Sequence, residues 1–165
     1  TDDAPTATNL SAAESYNEDT ALDLTDIVVT DVDTANVTVT LTLSNVAAGA
    51  LNTGTSGSVT STYDSATGVW SASGAKADVN TLLAALTFTP ALNFNGNFTI
   101  ATSVSDGVNT AVTGSKAFTG TAVDDAPTAT NLSAAESYTE DTALDLTDIV
   151  VTEVDTANVT VTLRS

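Results

Sequence analysis

The sequence contains no cysteine, histidine or methionine, and only three of its 165 residues are lysine or arginine. Disulfides, thiolate or imidazole metal sites and Ser-His-Asp triads are therefore excluded. The 21 acidic residues give a formal charge of −18 at pH 7, so the chain will not hold nucleic acid or an anionic membrane by electrostatic attraction. Any metal ion must be held by oxygen ligands, which favours calcium over magnesium.

Long apolar segments are also lacking. No run reaches the roughly 18 residues that a membrane-spanning helix needs, and no signal peptide is visible. We therefore expect no membrane insertion, and we expect any export signal to lie elsewhere in a longer chain.

The dominant feature that is present is a long internal repeat. Residues 2–41 recur as residues 124–163 with a period of 122 residues, and 38 of the 40 aligned positions are identical. The two differences are Asn17 against Thr139 and Asp31 against Glu153. We interpret residues 1–122 as one complete repeat, which is long enough to bury its own core, and residues 123–165 as an incomplete second repeat.

Short β-strands separated by turns make up most of the repeat. Apolar residues at every second position from Val37 to Leu43 alternate with threonines, which predicts a strand with one buried face. Residues 64–68 predict a hairpin turn with Gly68 at the position that requires a positive φ, and Trp70 is the best candidate for the largest core side chain. Seven or so such strands predict an all-β fold, a Greek-key β-sandwich.

One short helix is expected to interrupt the strands. Asp78 is its predicted N-cap. The apolar positions that follow at helical spacing are Val79, Leu82, Leu83 and Leu86.

The acidic residues are concentrated in the two copies of the repeat. Residues 1–33 hold nine carboxylates, residues 124–165 hold the nine that match them, and only three lie between. Asp31 and Asp33 lie two apart in an extended segment, so their side chains point the same way with Cα atoms about 6.6–7 Å apart. Both can therefore bend onto one cation or onto two neighbouring cations. The alternative is that these loop carboxylates are solvated and bind nothing.

Other acidic pairs are Glu18–Asp19 in a turn and Asp124–Asp125 in the linker between repeats. Calcium takes six to eight oxygen ligands, so several such pairs would have to converge. Residues 31–36 lack the glycine that an EF-hand loop needs at its sixth position. We therefore expect any calcium ligands to be assembled across the fold or across a domain junction.

Several short motifs together resemble bacterial cadherin-like repeats. They are the acidic linker DDAP, the NEDT turn, the DVD triplet, the segment of residues 78–90, the NFNG turn at 93–96 and SDG at 105–107. Such repeats occur in very large secreted adhesins and bacterial surface proteins. The resemblance implies a Greek-key sandwich whose calcium ions lie between consecutive domains and stiffen the array.

The resemblance also implies which residues bind calcium. At the junction after the complete repeat, the implied ligands are Glu18, Asp106, Asp124 and Asp125. From the following repeat, the implied ligands are Asp141, Glu153 and Asp155. The remaining candidate ligands are Asp19, Asp31, Asp33 and Glu140.

We expect this chain to act as a calcium-dependent structural extender, secreted or on a bacterial cell surface, whose partners are calcium and neighbouring repeats. The alternative is a calcium-dependent module that binds polysaccharide or another copy of itself, which would be favoured by an exposed Trp70 or Tyr63. We expect no enzyme, because only three acids lie between the two copies of the repeat and the chain has no histidine. The threonine row at residues 38–42 also suggests ice binding, but the polar side of an ordinary strand explains it better.

The second copy is too short to form a sandwich alone, since about 42 residues cannot bury enough surface. Either copy could complete a sandwich with residues 42–123. The linker position favours the first copy, whereas the second could displace it, pair with a neighbouring molecule or remain poorly ordered. Arg164 and Ser165 lie beyond the match and are interpreted as a cloning remnant.

Overall fold

The computed structural model describes residues 2–164, and the chain divides into two compact units after Ala122. The strands of the first unit are β1 (Thr6–Ala7), β2 (Glu14–Asn17), β3 (Leu22–Asp23), β4 (Val29–Thr30), β5 (Asn36–Leu43), β6 (Gly49–Leu51), β7 (Thr55–Ser56), β8 (Val59–Thr60), β9 (Thr62–Asp64), β10 (Val69–Ala75), β11 (Thr87–Pro90), β12 (Phe98–Ser105) and β13 (Val112–Thr121). Its helices are a short 3-10 turn (Val46–Ala48) and α1 (Lys76–Ala84). The strands of the second unit are β14 (Thr128–Ala129) and β15 (Val151–Thr152).

Two sheets face each other in the first unit. The larger has the order β2-β13-β12-β5-β10-β9, in which only β2 and β13 are parallel, and the smaller has the order β3-β11-β6. Phe88 of β11 packs against three aromatic rings of the larger sheet at centroid distances of 5.4, 4.9 and 5.7 Å. These rings are Tyr16, Phe98 and Phe118. The predicted all-β sandwich with a single short helix is therefore confirmed.

The core lies between the sheets and follows the alternation in the sequence. In β5 every apolar residue is buried and every threonine between them is half-buried, which confirms the predicted two-faced strand. Trp70 of β10 is fully buried and donates its indole N–H to the carbonyl oxygen of Asn52 at 2.9 Å, as expected of a core residue. On the outer face, the hydroxyls of Thr38 and Ser73 pair with each other at 2.7 Å.

The structure confirms the predicted hairpin turn but not the predicted start of the helix. Gly68 has φ 71°, as predicted for the turn between β9 and β10. The prediction that Asp78 is the helix N-cap is wrong, because β10 runs directly into α1 and the N-cap position is Ala75. Asp78 instead lies in the first turn, where its carboxylate suits the positive end of the helix dipole and accepts a hydrogen bond from the Ser56 hydroxyl at 3.0 Å.

The first copy of the repeat, not the second, completes the sandwich. It supplies β2, β3 and most of β5, which pair with β13, β11, β10 and β12. Leu41 is 0% exposed in β5, whereas its counterpart Leu163 is 70% exposed. Tyr16 is 3% exposed and its counterpart Tyr138 is 81% exposed. Two nearly identical segments therefore occupy opposite environments in one chain.

Candidate cation-binding site

Five carboxylates of the first unit lie at one end of the sandwich, and we call this group the acidic pole. Its members are Asp2, Asp3, Asp31, Asp33 and Asp106. The linker is tied to the β4–β5 loop, since the backbone N–H of Asp3 donates to Asp33 Oδ2 at 2.9 Å. The linker is also tied to the β12–β13 turn, since Asn109 Nδ2 donates to Asp2 Oδ2 and to Asp106 Oδ2, both at 2.9 Å.

The Asp31 loop is shaped by its own backbone. Asp31 Oδ1 accepts hydrogen bonds from the N–H groups of Asp33 and Thr34 at 2.9 and 2.7 Å, which is a local turn motif of aspartate. Lys76 donates its ammonium group to the carbonyl oxygens of Asp31 and Thr34. Asp31 Oδ2 is buried, and no hydrogen-bond partner for it is found among the described residues. A carboxylate oxygen in that position is a ready ligand for a cation.

Asp106 belongs to the acidic pole, which corrects the assignment implied by the family resemblance. That assignment grouped Asp106 with Glu18, but Asp106 lies in the turn before β13 and Glu18 lies beside the end of β13, where its N–H donates to the carbonyl oxygen of Thr121 at 3.0 Å. The ten residues of β13 separate the two ends by about 30 Å. The two carboxylates therefore cannot share an ion within this unit.

The chemistry around Asp106 stabilises its charged form. The Asn109 side chain, followed by the backbone N–H groups of Val108 and Asn109, donates hydrogen bonds that lower the pKa of Asp106 below its ordinary value of 3.8. The carboxylate is therefore ionised at neutral pH and already oriented by the turn.

Glu18 and Asp19 lie together at the far end of β13, away from the acidic pole. Glu18 is 1% exposed and accepts a hydrogen bond from Asn95 Nδ2 at 3.0 Å. Asp19 has φ 59°, and its Oδ1 accepts from the N–H of Asn93 at 3.0 Å. Burial, and to a lesser degree the charge of Glu18, raises the pKa of Tyr16, whose hydroxyl donates to the carbonyl oxygen of Gly96 at 2.6 Å.

The candidate ligands of the second unit repeat part of the acidic pole. The N–H of Asp125 donates to Asp155 Oδ2 at 2.6 Å, as Asp3 does to Asp33, and Glu153 Oε1 accepts from the N–H groups of Val154 and Asp155. The other candidates of this unit are exposed: Asp124, Glu140 and Asp141. The linker-to-loop contact joins residues 30 apart and forms within each copy of the repeat.

The carboxylates of the acidic pole are neighbours but do not form a closed cage. Across residues 2–164, no three acidic side chains come together in a group that could hold a metal ion. The donor set itself consists of carboxylate and carbonyl oxygens, which suits a hard cation. The oxygen atoms present at the acidic pole for a cation are those of Asp2, Asp31, Asp33 and Asp106.

A buried ion pair is the main feature that the sequence analysis missed. Lys116 is 0% exposed, and its ammonium group lies 2.7 Å from Glu14 Oε1, so the pair joins β13 to β2 across 102 residues of sequence. Glu14 Oε1 also accepts the N–H of Thr25 at 3.0 Å. The available signal was the spacing of Lys116 and Phe118, which are two apart in one strand and share its inward face.

The aromatic side chains of the first unit do not form an exposed platform. Trp70 is buried, and Tyr63 is half-buried with its hydroxyl directed to the carbonyl oxygen of Gly49 at 3.3 Å. The exposure that would have favoured a sugar-binding face is therefore not found at either residue.

Neither a scan against protein-family models nor a search of curated proteins returns a match to this chain. No helix within the described part of the chain is long and apolar enough to cross a bilayer.

Proposed function

We propose that this chain is a calcium-dependent extender from the repetitive part of a secreted or surface-attached bacterial adhesin, similar to cadherin-like repeats. Its role is mechanical, since a linear array of such units sets the distance between an anchor and a binding tip. The observation that carries the proposal is the near-identical repeat, whose period matches the folded sandwich: the first compact unit ends at Ala122 and the second copy starts at Asp124.

The calcium dependence is supported by the arrangement of acid at the start of each unit. In both units a linker N–H donates a hydrogen bond to a loop carboxylate, from Asp3 to Asp33 and from Asp125 to Asp155. The linker and the acidic loop are therefore already in contact. Oxygen ligands beside that linker would come from Asp31 Oδ2, which has no hydrogen-bond partner among the described residues. Others would come from the Asp2 and Asp106 carboxylates, which both accept a hydrogen bond from the Asn109 side chain. A bound ion would neutralise their mutual repulsion and fix the linker against the sandwich.

The test is a thermal melt of the chain in excess EDTA, in calcium and in magnesium. An ion at about 100 times its Kd adds about 2.7 kcal/mol to stability, which corresponds to a rise in Tm on the order of 10 °C for a unit of this size. Magnesium is expected to be a poor substitute, because it demands octahedral geometry and keeps its waters. A Tm that is the same in EDTA and in calcium would contradict the calcium assignment.

A matched pair of variants localises the effect. Replacing Asp31 and Asp33 by asparagine keeps the side-chain oxygen that accepts the loop N–H groups but removes two charges from the acidic pole. Replacing Asp23 and Asp26 by asparagine removes two charges from exposed positions outside the pole. The calcium-induced rise in Tm should be lost in the first variant and kept in the second. Loss in both variants would indicate general charge screening instead of a site.

A polysaccharide-binding role is less well supported than the extender role, because Trp70 is buried and Tyr63 is half-buried. Binding to another copy of the chain is better supported, because many apolar side chains of the second unit are exposed.

A further inference from the structure

The second copy keeps the local structure of the first. Strand β14 pairs with β15 in the register in which β1 pairs with β4. Asn131 Nδ2 donates to the carbonyl oxygen of Asp148 at 2.7 Å, and Asn9 makes the same contact to Asp26 at 2.8 Å. These contacts form within the second copy itself, so the segment already has part of the shape that the first copy has in the sandwich.

The apolar side chains of this segment lack the cover that their counterparts have. Val159, Val161 and Leu163 are 44%, 50% and 70% exposed, whereas the matching residues of β5 are at most 2% exposed. Val151, Val159 and Val161 help to line an open groove in the second unit. In the first unit, apolar side chains of residues 42–122 pack against the matching residues of the first copy. We call residues 42–122 the central block.

We propose that residues 124–163 complete the sandwich of a second copy of this chain, by taking the place of that copy's residues 2–41 on its central block. The two differences between the copies fall at Asn17, which is exposed, and at Asp31, where glutamate keeps the carboxylate. Every residue of the first copy that is buried has an identical counterpart in the second. The replacement therefore creates no cavity and no overpacking in the core.

The buried ion pair adds specificity to this docking. Lys116 lies in the central block and needs a carboxylate, because an unpaired buried ammonium group is strongly unfavourable. Glu136 is the counterpart of Glu14, and its Oε1 already accepts the N–H of Thr147 at 2.7 Å as Glu14 accepts that of Thr25. Docking places Glu136 of one molecule against Lys116 of the other.

The second copy must dock onto another molecule, because residues 124–163 cannot reach the position of residues 2–41 in their own chain. In the docked first copy, Asp2 lies beside Asn109, before the start of β13. Asp124 follows Thr121, at the other end of β13, by three residues, which span at most about 11 Å. The strand between is about 30 Å long. Residue 124 therefore cannot occupy the position of residue 2 in its own molecule.

The exchange replaces one set of contacts by an equivalent set, so it has no large driving force in the unmodified chain. It also breaks the covalent continuity of β5 between Leu41 and Thr42, which favours the uninterrupted form in dilute solution. Because the tail of one molecule joins the central block of the next, the contact is head-to-tail and produces open chains or closed rings. Exchange becomes dominant when the first copy is disabled.

Three variants of the full chain test the proposal in a buffer in which the unmodified chain is folded. The first-copy variant carries Val39→Asp and Leu41→Asp, the tail variant carries Val161→Asp and Leu163→Asp, and the double variant carries all four. We expect the tail variant to be folded and monomeric, and the double variant to be unfolded by circular dichroism. The first-copy variant should be folded, with light scattering giving at least twice the monomer mass. A first-copy variant that is unfolded, or folded as a monomer, overturns the proposal.

Disulfide trapping tests the register directly, because the chain has no cysteine of its own. Thr40 lies opposite Ser103 in the β5–β12 pair, so Thr162 of one molecule should lie opposite Ser103 of the next. In the first-copy variant, Thr162→Cys with Ser103→Cys should give a covalent ladder on oxidation. The control, Thr160→Cys with Ser103→Cys, is displaced by two residues and should give little. No ladder, or equal ladders in both, overturns the proposal.

Discussion

Leu41→Ala and Leu163→Ala are the same chemical change in the same local sequence, VTVTL, at two different burials. Leu41 is 0% exposed and lies opposite Trp70 in the neighbouring strand, so its truncation removes contacts from the centre of the core. Such substitutions cost 2–5 kcal/mol, and we expect about 3 kcal/mol here. Leu163 is 70% exposed, so its truncation should change the free energy of unfolding by no more than about 0.5 kcal/mol.

The assay is urea unfolding followed by the fluorescence of Trp70, the single tryptophan, which reports on the first unit alone. With a urea dependence of about 1–3 kcal/mol per molar, Leu41→Ala should lower the midpoint by about 1–3 M while Leu163→Ala leaves it almost unchanged. Dilute protein is used so that exchange between molecules does not restore the first variant. Equal shifts for the two variants, or a larger shift for Leu163→Ala, would refute the conclusion that the first copy completes the sandwich.

Three further predictions concern single residues of the first unit. Lys116→Met should cost about 3–5 kcal/mol in chemical unfolding, because it leaves Glu14 charged and buried without its partner, and adding Glu14→Leu should recover much of the loss. Gly49→Ala should lower Tm by several degrees, because Gly49 has φ 153° and a Cβ atom there would lie 2.1 Å from a carbonyl oxygen of β11; an unchanged Tm would contradict that geometry. Asn109→Ala should raise the pKa of Asp106 toward 3.8 in an NMR titration. Because the pKa of Asp106 is lowered in the folded state, the ionised carboxylate contributes to stability above the unfolded-state pKa of about 3.9. This contribution is lost as the pH falls through the folded-state pKa. A pKa of 3.8 in the unmodified chain would exclude this contribution.

The candidate site was only partly predictable. The acidic pair Asp31 and Asp33 and the linker acids are visible as sequence motifs, and the structure brings the linker and the loop into contact. The position of Asp106 was not predictable from its SDG motif, because the motif fixes a turn and does not fix which end of the sandwich carries that turn. The contact between Asn109 and Asp2 joins residues 107 apart and exists only once the sheets are assembled.

The helix shows the same limit on a smaller scale. The apolar spacing after Asp78 correctly predicted a buried helical face at Val79, Leu82 and Leu83, whereas Leu86 is buried but lies beyond the end of α1 at Ala84. The predicted start of the helix was wrong because an N-cap residue is expected where a loop precedes the helix. Here β10 leads into α1 with no loop between them.

The strand character, the alternation of buried and exposed positions, the turns and the length of the repeat unit all follow from the sequence alone. These properties depend on backbone preferences and on neighbours a few residues away, which is why Asn9 and Asn131 adopt the same φ of about 60° in both copies. The linker position favoured the first copy, but the burial itself came from the assembled sheet, because Leu41 and Leu163 have the same local sequence and differ in whether β10 and β12 lie beside them. Burial is a property of long-range strand pairing, and identical local sequences cannot specify it.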